Sequence, residues 1–422
     1  MKRFRLLRIA GAIAGCTLLM LGVTCGAGKP TVLPGIDVLR MQGFQILQGK
    51  RVGLITNPTG IASNFESTVD VLAHAPGVRL VALFGPEHGV RGDMEGGAYI
   101  DNYIDQQTGL PVYSLYGRTR KPTPEMLKDI DVLVYDIQDI GVRSYTYIST
   151  MGEAMEAAAE QGIEFVVLDR PDPLSGVRVE GAMLDTAYSS FVGKYPVPYV
   201  YGMTAGELAQ MINGERWLAG EVQCKLTVVP MQGWKRIMWW DDTGLPWVLT
   251  SPHIPHPMTA AFYVMTGTLG ELGTANQGVG YTLPFELVGA PWVDGYKLAD
   301  YLNRLDLGGV YFRPLSYKPF YFDTSAGLFH GVQVHVVDRE ELNMTAVELT
   351  VLDALIRLFP DQNIIDRARP NRIRAFDRVN GSADIRTWLQ QGVPVKEMLE
   401  RIDAQRAQFM IKREKYLLYD PR

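Results

Sequence analysis

Four short apolar, β-prone runs recur along the first half of the chain. They are Arg51 to Asn57 (RVGLITN), Leu80 to Phe84, Asp131 to Asp136 (DVLVYD) and Glu164 to Leu168, and helical segments separate them. Runs that are apolar throughout, rather than at alternate positions, read as strands buried on both faces. Strands alternating with helices at this spacing build a mostly parallel sheet covered on both sides, so the chain is read as an α/β protein. The helix starts carry their own signals. Ser67 caps a segment running to Ala75, Thr123-Pro124-Glu125 opens a short helix, a helix runs from about Tyr147 through Ala159, and Thr204-Ala205-Gly206-Glu207 is a capping box for a helix to Asn213.

The pattern changes later. Between Lys225 and Phe329 come most of the tryptophans, many prolines and long loops, with one helix at Tyr296 to Leu305. A strand-like run at Gly331 to Val337 and helices at about Thr345 to Phe359 and Pro394 to Glu414 follow. A chain of 422 residues is long for one core, so two units are expected, 30–220 and 221–422. There is no internal repeat or low-complexity segment.

A net charge of -5, from 41 basic and 46 acidic side chains, gives no long-range attraction to nucleic acid or anionic lipid. Nucleic acid is set aside as a partner. At the start, Lys2, Arg3, Arg5 and Arg8 precede an apolar run from Ile9 to Thr24, the pattern of an export signal and short for a membrane span. Residues 1–29 are therefore read as address rather than fold, which implies a periplasmic or extracellular protein. Ile13-Ala14-Gly15-Cys16 has the look of a lipoprotein processing site, Cys25 sits better by position, and simple cleavage near Ala27 is also open. Membrane contact is expected only through such an N-terminal lipid. Cys224 is then the sole cysteine of the body, so no internal disulfide framework exists and the core, in a chain with 47% hydrophobic residues, carries stability unaided.

Ligands of open α/β sheets bind outside the carboxyl ends of the strands. Gly85-Pro86 breaks the second run and delivers Glu87 and His88 to such a tip. Glu87 either caps the glycine turn or pairs with Arg91, or it works as an acid, base or nucleophile; its position favours chemistry. Glu180, before Gly181, is either a surface turn carboxylate or the partner of Glu87, since two carboxyl groups suffice for glycoside hydrolysis. Asp136, Asp139 and Arg143 form a charged cluster after the third run. The structural reading is an ion pair of Arg143 with the aspartates, and the functional one has Arg143 clamping a carboxylate through its planar fork. Asp169, followed by Arg170, invites the same two readings. His253 and His256 lie in a proline-rich loop whose spacing matches no zinc motif, and the glycine-rich stretches match no nucleotide-binding pattern, so neither metal nor cofactor is expected. Trp234, Trp239, Trp240, Trp247, Tyr263, Tyr281 and Trp292 supply aromatic faces for core packing or for sugar stacking. No G-x-S-x-G elbow supports an esterase.

At these residues the sequence resembles the NamZ-type exo-β-N-acetylmuramidases, a glycoside hydrolase family. The matching stretches are GLITNPTG (Gly53 to Gly60), LFGPEHGVRGD (Leu83 to Asp93), PVYSLYG (Pro111 to Gly117), RKPTPEML (Arg120 to Leu127), DVLVYDIQDIGVRSYTYISTM (Asp131 to Met151), VVLDRPDPLSG with VEG (Val166 to Gly181), YGMTAGELA and DDTGLPWV. The resemblance implies a Rossmann-like, mostly parallel N-terminal catalytic domain, a smaller α+β C-terminal domain and a cleft between them. It implies release of terminal β-linked N-acetylmuramic acid from the non-reducing end of peptidoglycan fragments, without metal or organic cofactor. The family's two proposed catalytic glutamates, in GPEHG and VEG, fall on Glu87 and Glu180. Glu87, with His88 and Arg91 close in sequence, is favoured as base or nucleophile, and Glu180 as acid. Substrate contacts are expected from Asn57, His88, Asp136 and Arg143, and from Asp169, His253 and Tyr281.

The chain departs from the family in one segment. Where SEGRGTTRPFE is expected, Asn276 to Glu286 reads NQGVGYTLPFE, with charges absent at Gln277, Val279 and Leu283. His253 stands where asparagine is more usual. If that segment binds the lactyl carboxylate, the chain takes a different sugar or relies on Arg143 alone. A non-catalytic glycan-binding protein on the same scaffold is the competing expectation.

Overall fold

The computed structural model describes residues 32–92, 102–321 and 327–420. The expected export signal, with Cys16 and Cys25, and the middle of the glycine-rich excursion through Gly97 lie outside the described residues. Seven strands form the main sheet. They are β1 (Arg51–Thr56), β2 (Arg79–Gly85), β3 (Tyr103–Ile104), β4 (Pro111–Ser114), β5 (Val132–Asp136), β6 (Glu164–Leu168) and, after the β7 (Glu180–Met183) and β8 (Pro198–Val200) ribbon, β9 (Lys225–Val229). Their order is β3-β4-β2-β1-β5-β6-β9, and every neighbouring pair is parallel except β3 with β4. The sheet thus runs past residue 220, with β9 parallel to β6.

The continuous apolar character of the strands has a simple cause. Successive side chains point to opposite faces, and both faces are covered. On β5, Leu133 and Tyr135 enter one core with Ile148, Met151 and Leu208 from α4 and α5, while Val132 and Val134 enter the other with Leu39 and Leu72 from α1 and α2. The helices are α1 (Gly35–Met41), α2 (Thr68–Ala73), α3 (Pro124–Leu127), α4 (Tyr147–Gln161) and α5 (Ala205–Gly214). Their caps agree with the sequence signals. The Ser67 side chain accepts from the Asp70 N–H, Thr123 caps α3, and Thr204 with Glu207 completes the capping box of α5.

The C-terminal part is smaller and differently built. Strands β10 (Leu287–Ala290), β11 (Val310–Tyr317) and β12 (Phe329–Val336) form an antiparallel sheet of order β10-β12-β11. Around it lie α6 (Thr259–Leu272), α7 (Gly295–Arg304), α8 (Met344–Leu358), α9 (Pro370–Asn380), α10 (Asp384–Gln390) and α11 (Val395–Arg413). The 14-residue α6 was not legible in the sequence, where its region was read as loops. Ten of its residues are buried, so its composition is apolar nearly all round and shows no helical stripe.

The two parts share a core. Ile140, Val142, Leu174 and Val200 pack in one cluster with Val264, Met265 and Leu269 of α6 and with Val347 and Val351 of α8. The C-terminal tail then returns to the parallel sheet. Phe409 joins the α4 face, the Leu418 N–H donates to Glu207 at 2.8 Å, and the Tyr419 hydroxyl donates to Asp169 at 2.5 Å.

Buried charges settle several loops. Arg170 donates to Asp136 at 2.5 and 2.9 Å, and neither residue is more than 5% exposed. Replacing Arg170 with Met should strand the Asp136 carboxylate and cost about 3–5 kcal/mol, read as a lower urea midpoint at unchanged slope. Glu348 on α8 is also buried, accepts from Thr268 at 2.5 Å, and is pushed up by burial to about 7. A carboxyl whose folded pKa exceeds its unfolded one holds its proton more tightly when folded. Stability is therefore greatest below the unfolded value of 4.5 and falls as pH rises through about 7. The Glu348→Gln variant should lose part of the parent's fall in urea midpoint between about pH 5 and about pH 8; an undiminished fall would contradict this.

Candidate active site

The sheet order places a reversal between β1 and β5, the switch point at which a crevice opens outside the strand ends. The loops after β1, β2 and β5 supply its residues. Asn57 follows β1 and is buried, its Oδ1 accepting from the Thr59 N–H at 3.0 Å and from Thr59 Oγ1 at 2.5 Å. That turn leaves the Asn57 side chain beside the Tyr147 hydroxyl, which also feels Glu87; burial is the main cause of that phenol's raised pKa.

Glu87 is half-buried at the tip of β2. Thr146, the N-cap of α4, donates to its Oε2 at 3.4 Å. The carboxylate therefore faces the positive end of a 15-residue helix. His88 adopts φ 73°, a left-handed conformation uncommon for a residue with a side chain, and its Nδ1 is buried without a hydrogen-bond partner. His253 lies near it. Its Nε2 meets the Tyr321 hydroxyl at 2.9 Å, and its pKa is lowered by burial and then by His88. Asn57, Glu87, His88 and His253 are thus brought to one region, with Tyr147 and Thr146 as neighbours that the sequence reading did not single out.

The other expected residues have partners of their own. Glu180 opens β7 and is 9% exposed. Its carboxylate accepts from the Thr345 N–H in the first turn of α8 at 3.1 Å and pairs with Arg178 at 3.4 Å. Burial raises its pKa, against the Thr345 N–H and the Arg178 and Arg406 cations. Among the described residues, no hydrogen bond or ion pair joins it to Glu87. The expected cluster of Asp136, Asp139 and Arg143 is divided. Asp136 is fully buried and pairs with Arg170, with the Thr68 hydroxyl as a further donor. Asp139 accepts from the Tyr201 hydroxyl and the Gly141 N–H and is pushed up by burial to about 7.

Among the described residues, Arg143 forms no ion pair with a carboxylate. Its guanidinium donates to the carbonyls of Ala182 and Val197 at 2.7 Å each and of Val379 at 3.0 Å, and burial lowers it to about 10. Gly381, at φ 86°, lets the backbone approach, since a Cβ there would lie 2.6 Å from the guanidinium. Fully buried, Arg143 ties these chain segments together through their carbonyls. Asp169 also has partners within the chain. It is fully buried and holds the Thr204 hydroxyl at 2.7 Å, the Gly206 N–H at 2.8 Å and the Tyr419 hydroxyl, and burial pushes it up to about 6. Tyr281 packs against Tyr317 and Phe320 in the antiparallel part.

The crevice connects to α6 through Tyr263. Its hydroxyl meets Ser144 Oγ at 3.1 Å, and its pKa is pushed up to about 12 by burial, with Glu271 and Glu87 adding to the shift. Glu271, in the last turn of α6, lines a cavity of about 880 Å³ together with Gln277, Trp292 and Arg372. Among the described residues, no three His, Cys, Asp or Glu side chains gather as metal ligands do.

Comparison with known proteins agrees with this architecture. Residues 52–258 match the family model for the N-terminal part of the exo-β-N-acetylmuramidase NamZ, and residues 261–419 match that for its C-terminal part. The chain is 46% identical over 394 residues to the peptidoglycan β-N-acetylmuramidase NamZ of Bacillus subtilis, covering 93% of this chain and 92% of that one. Two crystal structures of DUF1343 family proteins from Bacteroides fragilis superpose on it. One is 52% identical with a TM-score of 0.88, covering 92% of this chain and 99% of its own; the other is 32% identical with a TM-score of 0.72, covering 93% and 99%. The chain belongs to the NamZ exo-β-N-acetylmuramidase family of glycoside hydrolases.

Proposed function

We propose that this protein is an exported exo-β-N-acetylmuramidase that removes N-acetylmuramic acid from the non-reducing end of peptidoglycan fragments. The observation that carries the reading is Glu87, a half-buried carboxylate at a strand tip beside the switch-point crevice, held by one long bond from Thr146. Cleavage of a β-glycoside requires a carboxylate below the anomeric carbon, to attack it or to activate water, and an acid at the leaving oxygen. Glu87 suits the first role, standing at the strand tip with Thr146, the N-cap of α4, as its hydrogen-bond donor. The Asn57 and Tyr147 side chains next to it are polar groups within reach of a sugar's hydroxyls. Export rests on the basic and then apolar start of the chain.

The second carboxyl group expected from the sequence was Glu180. Its carboxylate is occupied by a helix N–H and an arginine in a nearly closed interface, an arrangement that supports a structural role.

The signal-free protein should release free N-acetylmuramic acid from N-acetylmuramyl-β-1,4-N-acetylglucosamine, identified by mass spectrometry. Glu87→Gln should lower kcat by about a hundredfold or more with an unchanged melting curve. Saccharide binding without product from the parent would instead mark a glycan-binding protein, and an Asn276 to Glu286 segment lacking the family's charges would be its signature. Glu180→Gln should lower the melting temperature while kcat stays within about threefold of the parent's. A large loss of kcat with an intact melting curve would return Glu180 to the chemistry.

A further inference from the structure

Three arginines stand together on the wall of the cavity of about 880 Å³. Arg367 and Arg369 precede α9 and Arg372 lies in its first turn, and all three are exposed and without an ion pair among the described residues. The start of a helix disfavours cations, and the first turn of α9 holds no acidic side chain to offset them. Local folding does not account for the cluster. Glu271 is the one acid among the cavity's described lining residues, so the wall carries three cations to one anion. It forms no ion pair with Arg372 among the described residues, and burial raises its pKa against that cation.

The rest of the wall has groups that hold a sugar. Trp292 brings a half-buried indole, steadied by an edge-to-face contact with Phe359 at 5.5 Å between ring centroids. Gln277 lies against α6, where a Cβ on Gly270 would be 2.2 Å from its Nε2, and its side-chain amide makes no hydrogen bond among the described residues. Asn276 does different work. Its side chain accepts from the Gly278 N–H at 2.8 Å and the Tyr317 hydroxyl at 2.8 Å, and donates to the Val279 carbonyl at 2.9 Å, which shapes the loop that presents Gln277. An indole for a ring face, an amide for hydroxyl groups and planar guanidinium forks for a carboxylate match an acidic sugar.

The cavity is separate from the crevice. None of Asn57, Glu87, His88 or His253 is among its described lining residues, and Glu271 lies eight residues, about 12 Å along the axis of α6, beyond Tyr263.

We propose that this cavity is a second saccharide site, which binds a carboxylate-bearing amino sugar apart from the crevice at Glu87, with the arginine wall taking the carboxylate and Trp292 and Gln277 taking the ring. The identity of the sugar rests on the muramidase reading above, in which N-acetylmuramic acid is the unit released. The segment that departs from the family pattern lines this second site through Gln277.

The test titrates the signal-free protein with free N-acetylmuramic acid and with N-acetylglucosamine, which has the same ring without the lactyl carboxylate. The part of the tryptophan fluorescence change that vanishes in Trp292→Phe reports this cavity and not the crevice. Read from that signal, the parent should bind N-acetylmuramic acid about tenfold or more tighter than N-acetylglucosamine. Arg369→Ala/Arg372→Ala should abolish the preference, and Arg372→Lys, which keeps the charge and loses the fork, should reduce it. Both should melt at or above the parent's temperature, because each relieves or keeps a charge that the start of α9 disfavours, so lost binding is not lost folding. Equal affinity for the two sugars, no Trp292-dependent signal with either, or a preference untouched by the double-arginine change would overturn the assignment. Arginine-dependent binding by a parent that releases no N-acetylmuramic acid from the disaccharide would keep this site and overturn the muramidase reading. Release of that sugar by a parent whose binding ignores the arginines would do the reverse.

Discussion

Arg170 fixes the edge of the sheet on which the site is built. It projects just past β6, reaches the carboxylate at the end of β5, and donates a further bond at 2.7 Å to the Ile61 carbonyl in the loop after β1. The Thr68 hydroxyl, in the first turn of α2, bonds the same Asp136 carboxylate. One buried cation and one buried anion thereby hold loops from three adjacent strands at the carboxyl edge. Such a pair tolerates no loose geometry, because either charge left alone in the interior is costly. Asn57 and the segment from Gln138 to Thr146 inherit their positions from it.

The C-terminal part covers this edge through a shared apolar core and a second set of buried cations. Arg143 gathers carbonyls from the β7–β8 ribbon and the end of α9, and Arg413 reaches the carbonyl of Gly202 at 2.8 Å. Arginine suits this work because its planar fork satisfies several acceptors while remaining charged. The rigid frame sets the direction of α6, which passes from Tyr263 beside the crevice to Glu271 at the cavity.

Acids of similar type stand in different settings in this frame. Glu180 is enclosed among β7, α8 and Arg178 and finds a helix N–H, a setting that satisfies a carboxylate. Glu271 sits at a helix C-terminus beside an open volume, with no such donor among the described residues. Both are raised by burial, so burial alone does not distinguish the two settings. What separates them is whether the polar atoms are already satisfied by the chain.

The sequence by itself determined the elements whose causes are local. The buried strands show as continuous apolar runs, the Ser67, Thr123 and Thr204 caps mark helix starts within one turn, and Gly85-Pro86 ends β2 so that Glu87 stands at its tip. Motifs such as GPEHG, being contiguous, also carried the family. Only the tertiary structure decided which charges meet. Asp136 takes Arg170, from the neighbouring strand tip, over Arg143, seven residues away in sequence, because β5 and β6 lie side by side while the loop carries Arg143 off towards β7 and β8. Glu180 meets α8 across 165 residues, and α6 hides its period because it is buried on nearly every side. Local spacing records the backbone's own hydrogen bonding and burial, whereas partners brought together by sheet order and domain packing leave no mark in the spacing.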